Sequence, residues 1–164
     1  MIAIFYISAV VAILATVMVI TRLNAVHALL YLIVSLLSVA VIFYTLGAPF
    51  IAALEVIIYA GAIMVLFVFV MMILNLGTEA ALQESQWLSP RMYEGPALLA
   101  LILLAEFVYM ISSGKPCLPG RDVVGPKEVG ASLFGTYFLG AEIVAMMLLG
   151  ALVGAFHLGR RIKD

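Results

Sequence analysis

Apolar residues fall into five long runs, separated by short polar interruptions or by longer polar links. A membrane-crossing helix needs about 20 mostly apolar residues. The runs are Ile2–Ile20, Val26–Leu46, Phe50–Leu74, Tyr93–Ile111 and Leu133–Leu158. Thr21, Arg22 and Asn24 end the first. Gly47-Ala48-Pro49 is a turn signal after the second. Asn75 and Gly77 close the third, and Gly95-Pro96 opens the fourth near its first turn. The expected fold is all-α, a single transmembrane domain over residues 1–164 with five spans. Two links, Thr78–Met92 and Ser112–Ser132, carry charges and prolines and read as aqueous loops. Trp87 and Tyr93 suit a belt at headgroup level.

The first run lacks the basic start and cleavage region of a signal peptide, so it reads as a retained helix. An odd number of spans places the termini on opposite sides. Arg22, Arg91, Arg160, Arg161 and Lys163 fall on the C-terminal side, against Lys115, Arg121 and Lys127 on the other. The excess of positive charge predicts a cytoplasmic C-terminus and a periplasmic N-terminus.

Composition supports the bilayer as solvent. Hydrophobic residues make up 66% of the chain and charged residues 10%, against roughly 25% charged in a typical soluble domain. A net charge of −1 gives no bulk attraction to nucleic acid. Cys117 is the single cysteine, which excludes an internal disulfide and a multi-cysteine metal site within the chain. No phosphate-binding, dinucleotide-binding or zinc-protease motif is present.

Candidate chemistry therefore lies in the spans. Apart from Glu94 at the second position of the fourth run, they contain three acids, Glu55, Glu106 and Glu142, and no Lys or Arg. An ionised carboxylate at the centre of hydrocarbon costs at least about 2.5–3.5 kcal/mol. Each must be protonated, hydrated or paired with a group supplied from elsewhere, or must snorkel to an interface. Counted from the outer ends of the runs, all three lie roughly 8–14 Å deep. Tyr59 follows Glu55 by one helical turn, so the two share a face, which suggests a polar strip toward the bundle interior. Ala60-Gly61-Ala62 permits close helix approach, a kink or a π-bulge, and spacing does not choose among them. Gly150 and Gly154 form a small-residue packing face on the fifth run. His27 and His157 stand near helix ends, where interfacial or capping roles compete with a bis-histidine haem site.

Three stretches carry a family resemblance. They are NAVHALLYL (Asn24–Leu32), LEVIIYAGAIMVLFVFVMMILNLG (Leu54–Gly77) and GPKEVGASLFGTYFLGAEI (Gly125–Ile143), with AFHLGR (Ala155–Arg160) at the end. Together they resemble the subunit J family of the bacterial proton-pumping NADH:quinone oxidoreductase, respiratory complex I. Its mitochondrial counterpart is NADH dehydrogenase subunit 6. The similarity runs from about Phe5 to Arg161 and is weak over Thr78–Val124.

The resemblance implies a multi-pass subunit of the bacterial inner membrane that is not functional alone. It would pack against membrane lipid and subunits A, H, K and N of the complex. NADH, FMN, iron–sulfur clusters and quinone would be bound by other subunits, with no redox cofactor, metal or catalytic residue on this chain. It also implies a π-bulge in the third helix that can rewind to α and so open or close a hydrated path. The matching segment is Tyr59–Val70, with Gly61 as the soft point and Val65 and Phe67 among the side chains beyond it. The third-helix acid and tyrosine of the family match Glu55 and Tyr59, and its fifth-helix acid matches Glu142. Glu106 matches no family position and stands as an additional candidate buried acid. Ala25 replaces a proline common in the family.

Three functional expectations follow. The first is a coupling subunit that links quinone reduction to proton translocation through the third helix. The second is a purely architectural subunit. The third sets the resemblance aside for a haem-bearing anchor or a small proton-linked transporter, and the lack of inverted repeats weakens the transporter.

Overall fold

The computed structural model describes residues 1–22, 24–74, 91–113 and 122–159. Trp87, Cys117, Lys115, Arg121, Arg160, Arg161 and Lys163 lie outside the described residues, as does most of each link expected to be aqueous. The described residues are helical with no strand, and five of the helices are long and apolar enough to cross a membrane. They divide into two units, Met1–Val123 and Val124–Asp164.

In the first unit, α1 (Ile2–Thr21) and α2 (Ala25–Thr45) form a tightly packed pair. Asn24 starts α2 because its Oδ1 accepts from the backbone N–H groups of Val26 and His27, at 2.9 and 3.2 Å. This side-chain cap satisfies donors that the first helical turn leaves free. It operates with Ala25 at the first helical position. Gly47 turns the chain at φ 93°, and Pro49 opens the third span.

That span consists of α3 (Pro49–Leu54), a π-helical segment (Glu55–Ile63) and α4 (Met64–Leu74). It packs along α2. The fourth span is α5 (Arg91–Ser113), which lies against α2 and α1. It begins two residues earlier than expected, so Pro96 is buried within the helix and not in its opening turn.

The core sits where α1, α2 and α5 meet. Val11, Ala15, Tyr31, Val34 and Leu103 form its buried centre. Ala15 is wholly buried, which lets α1 and α2 approach closely. Gly95 leaves room for the Tyr31 hydroxyl. The remaining faces are apolar and exposed, as expected of surfaces that meet lipid or other membrane helices.

The second unit corrects the sequence expectation. Residues 133–158 are not one helix, and part of the link 112–132 is not a loop. The unit comprises α6 (Pro126–Phe134), a turn over residues 135–137, and α7 (Phe138–Gly159). Pro126 occupies the first turn of α6, and the Glu128 carboxylate accepts from the Gly125 N–H at 3.0 Å. At Gly135 a Cβ atom would come within 2.7 Å of the Ala131 carbonyl oxygen. The helix ends there, with the Tyr137 N–H donating to the Ser132 carbonyl at 3.0 Å. Apolar content carries across this break, which is why hydropathy alone joined the two helices.

Candidate functional site

The third span is where the helix departs from regular winding. The π segment contains Glu55 at its start, Tyr59 at its centre and Gly61 shortly after. A π turn holds more residues than an α turn, so it displaces the face presented by all that follows. Spacing had left a kink, close packing or a π-bulge open. The structure selects the π winding, and places it at Glu55–Ile63, upstream of much of the expected Tyr59–Val70 window. Val65 and Phe67 therefore belong to the regular helix α4 beyond the segment.

Gly61 is sterically constrained. A Cβ there would lie 3.1 Å from the backbone carbonyl oxygen of Val56. That neighbour is main chain and would have to give by a few tenths of an ångström. Adding a side chain thus acts directly on the π geometry.

The polar groups of the segment are not buried within the first unit. Glu55 is half-buried, and Tyr59 is 50% exposed. No hydrogen bond joins them, and no residue of the segment is buried. Tyr59 accordingly does not face the interior of this chain's own bundle. Val65 and Phe67 are exposed as well. A cavity of about 490 Å³ lies beside the segment, among α2, α3 and α5. Val56 borders it from the π segment, with Leu37, Val41, Tyr44, Leu103 and Phe107 among its other walls. Its lining is overwhelmingly apolar.

Glu106 behaves differently. It is buried in α5, and its Oε2 accepts a 2.7 Å hydrogen bond from the Oγ of Ser8 in α1. Snorkelling does not describe this residue. Ser8 was not a sequence candidate. The available signal was a small polar residue in an otherwise apolar helix. The same pattern holds at Thr16, whose hydroxyl lies 2.8 Å from that of Ser35 in α2.

Glu142 is exposed in α7 and belongs to the second unit. With α7 starting at Phe138, it stands four residues into the helix, about 6 Å at 1.5 Å per residue. That is shallower than the expected range. Gly150 and Gly154 are exposed, with open space where a Cβ would stand.

His27 is buried, stacks on Tyr31 at 5.0 Å between ring centroids, and has no hydrogen-bond partner at Nε2. Arg22 lies over the same Tyr31 ring at 5.8 Å. Among the described residues, no cluster of three or more His, Cys, Asp or Glu forms a metal site.

Five apolar spans, with a π-helical third span through Glu55, Tyr59 and Gly61, define a polytopic α-helical membrane protein. The profile of the family described as NADH-ubiquinone/plastoquinone oxidoreductase chain 6 matches residues 15–158. The chain belongs to that family. It is 54% identical over 160 residues to NADH-quinone oxidoreductase subunit J of Pseudomonas aeruginosa, covering 96% of this chain and 95% of the relative. The subunit J of Escherichia coli strain K12 is 53% identical over 156 residues, covering 95% and 85% respectively. That of Buchnera aphidicola subsp. Schizaphis graminum is 48% identical over 160 residues, covering 98% of each.

Proposed function

We propose that this chain is a membrane-arm subunit of the proton-pumping NADH:quinone oxidoreductase of the bacterial inner membrane, and that rewinding of its third span gates a hydrated path. The observation that carries the reading is the π segment Glu55–Ile63, with Tyr59 and Gly61 inside it. Full-length similarity to subunit J relatives supports membership of the complex.

The mechanism rests on helix geometry. Each residue of an α-helix turns the chain by about 100° and advances it by 1.5 Å. Taking up the extra residue of the π segment turns α4 by about that angle relative to α3. Val65 and Phe67 then sweep to a new azimuth. With the apolar side chains in the path, water is excluded, as in hydrophobic constrictions that gate by dewetting. With them withdrawn, the Tyr59 hydroxyl lines a wet path. Glu55, at the start of the segment, tunes the local field and takes up protons transiently, and Glu142, in the second unit, takes up protons in the same way.

The half-exposed state of Tyr59 and Glu55 fits a path completed by other chains. The neighbours are subunits A, H, K and N, and NADH, FMN, iron–sulfur clusters and quinone are held elsewhere in the complex. The cavity beside Val56 provides space for side chains displaced by rewinding. In this reading the N-terminus is periplasmic and the C-terminus cytoplasmic.

The test is proton pumping by Gly61→Val and Tyr59→Phe complexes whose assembly is confirmed. Pumping is expected to fall relative to quinone reduction. Normal coupled pumping in both variants rejects the gate.

The second unit favours an architectural contribution alongside gating. The open space at Gly150 and Gly154 leaves a face on which a neighbouring helix can pack closely. If architecture is the whole role, Gly150→Leu or Gly154→Leu blocks assembly, while replacements of Tyr59, Glu55 and Glu142 leave pumping intact.

A further inference from the structure

A second buried polar arrangement lies away from the π segment, between the first and fourth spans. Glu106 is 7% exposed and Ser8 is 0% exposed. The Ser8 hydroxyl donates to Glu106 Oε2 at 2.7 Å. Glu106 Oε1 is shielded and has no hydrogen-bond partner. Ser8 is six residues from the start of α1, and Glu106 is seven from the end of α5. At 1.5 Å per residue, both lie about 10 Å from one membrane face. That agreement is what antiparallel first and fourth spans require.

We propose that Glu106 and Ser8 form a proton-binding site of their own, separate from the third span, whose ligand is a single proton held on the Glu106 carboxyl. A hydroxonium ion or water at the membrane face supplies the proton. One O–H bond of the donor breaks and its oxygen leaves as water or hydroxide; the bond formed is O–H on Oε1, and the carboxylate becomes a neutral acid.

The chemistry follows from what surrounds the group. Helices α1 and α2 pack against α5. Their titratable or charged groups are the Met1 amine, Tyr6, Arg22, His27, Tyr31 and Tyr44. Arg22 is fourteen residues beyond Ser8, about 21 Å along the helix. His27 lies in the first turn of α2, at the same end of the pair as Arg22. The Met1 amine is seven residues from Ser8, about 10 Å away along the axis. On α5 itself Arg91 stands fifteen residues from Glu106, about 22 Å along the helix, and the other titratable groups are Tyr93, Glu94 and Tyr109. Among the described residues no cation pairs with Glu106, and one hydroxyl donor does not compensate a carboxylate removed from water.

As an acid, each oxygen has a distinct part. Oε2 is the carbonyl that accepts from Ser8, and Oε1 carries the proton. A buried O–H without an acceptor is far less costly than a buried charge without a counter-ion.

The test is infrared spectroscopy on the intact complex containing this chain, in wild type, Glu106→Gln and Ser8→Ala. One band of a protonated carboxylic acid is expected to vanish in Glu106→Gln. The same band should rise in frequency in Ser8→Ala, because its C=O loses a donor. Glu106→Gln should also assemble within about threefold of wild type, the scale of one interhelical hydrogen bond in a membrane. Loss of a carboxylate band in Glu106→Gln overturns the proposal. An acid band that Ser8→Ala leaves in place overturns it too. If Glu106→Gln does not assemble, Ser8→Ala decides alone: a shifted acid band supports the site, and a shifted carboxylate band refutes it.

Discussion

The contact between α1, α2 and α5 and the third span solve the same problem in opposite ways. Both place polar groups in apolar helices. In the first region the polar groups find partners inside the chain. Thr16 meets Ser35, the Ser38 hydroxyl donates to the Val34 carbonyl, and Ser8 donates to Glu106. In the third span, Glu55 and Tyr59 are not bonded to each other, and no residue of the π segment is buried. Hydrocarbon leaves no polar group without cost. The first region therefore pairs many of its polar groups internally, with His27 Nε2 and Glu106 Oε1 left without partners, whereas the third span leaves Glu55 and Tyr59 partly exposed.

The difference extends to packing. Ala15 is wholly enclosed and Tyr31 fits against Gly95. Such a contact has one good arrangement, because a close-packed interior resists displacement. The third span has a cavity of about 490 Å³ at its side and a winding that a single Cβ at Gly61 would oppose. The proposed gate calls for this pairing, a rigid frame beside a third span that rewinds.

Substitutions can break this contrast. The largest effect is expected from Gly61→Val, which forces a side chain against the Val56 carbonyl. A bias of about 1.4 kcal/mol against the π winding changes its population tenfold. Proton pumping per quinone reduced, measured in vesicles with assembled complex, should fall accordingly. A normal ratio would mean that the two regions do not differ in the way described.

Ala15→Leu comes next. Overfilling a packed contact costs about 1–3 kcal/mol. Complex recovered from membranes should decrease, and what assembles should lose this subunit at a lower temperature. The pumping ratio of the surviving complex should be unchanged, which sharpens the contrast with Gly61→Val. Asn24→Ala removes both cap bonds at the start of α2. A loss of about 1 kcal/mol is expected, read as a modest fall in the temperature at which the complex dissociates. Thr16→Val should be the mildest, since an interhelical hydrogen bond in a membrane averages about 0.6 kcal/mol. A double-mutant cycle with Ser35→Ala measures it, and zero coupling would show that the pair at 2.8 Å contributes nothing.

Much of the architecture was legible beforehand. Hydropathy located the first two spans to within a residue at each end, and the resemblance across Leu54–Gly77 implied a bulge in the third. The fifth apolar run was misread because composition does not register the close approach of Gly135 to the Ala131 carbonyl. Glu55, Glu106 and Glu142 looked alike as isolated acids in apolar helices. They proved half-buried, buried with a partner, and exposed near a helix start, respectively. Which face a carboxyl presents depends on the rotation of its helix against others, and no span encodes that locally.

Sequence by itself determined the solvent, the number of apolar spans and the acids that need company, because these follow from local composition and from the length of a helix across hydrocarbon. Tertiary structure decided that Ser8 attends Glu106 across 98 positions of chain and that Tyr59 looks outward. It also placed the π winding at Glu55–Ile63. Those outcomes depend on how helices distant in sequence fit side by side, where a single enclosed alanine or a missing Cβ shifts an entire face.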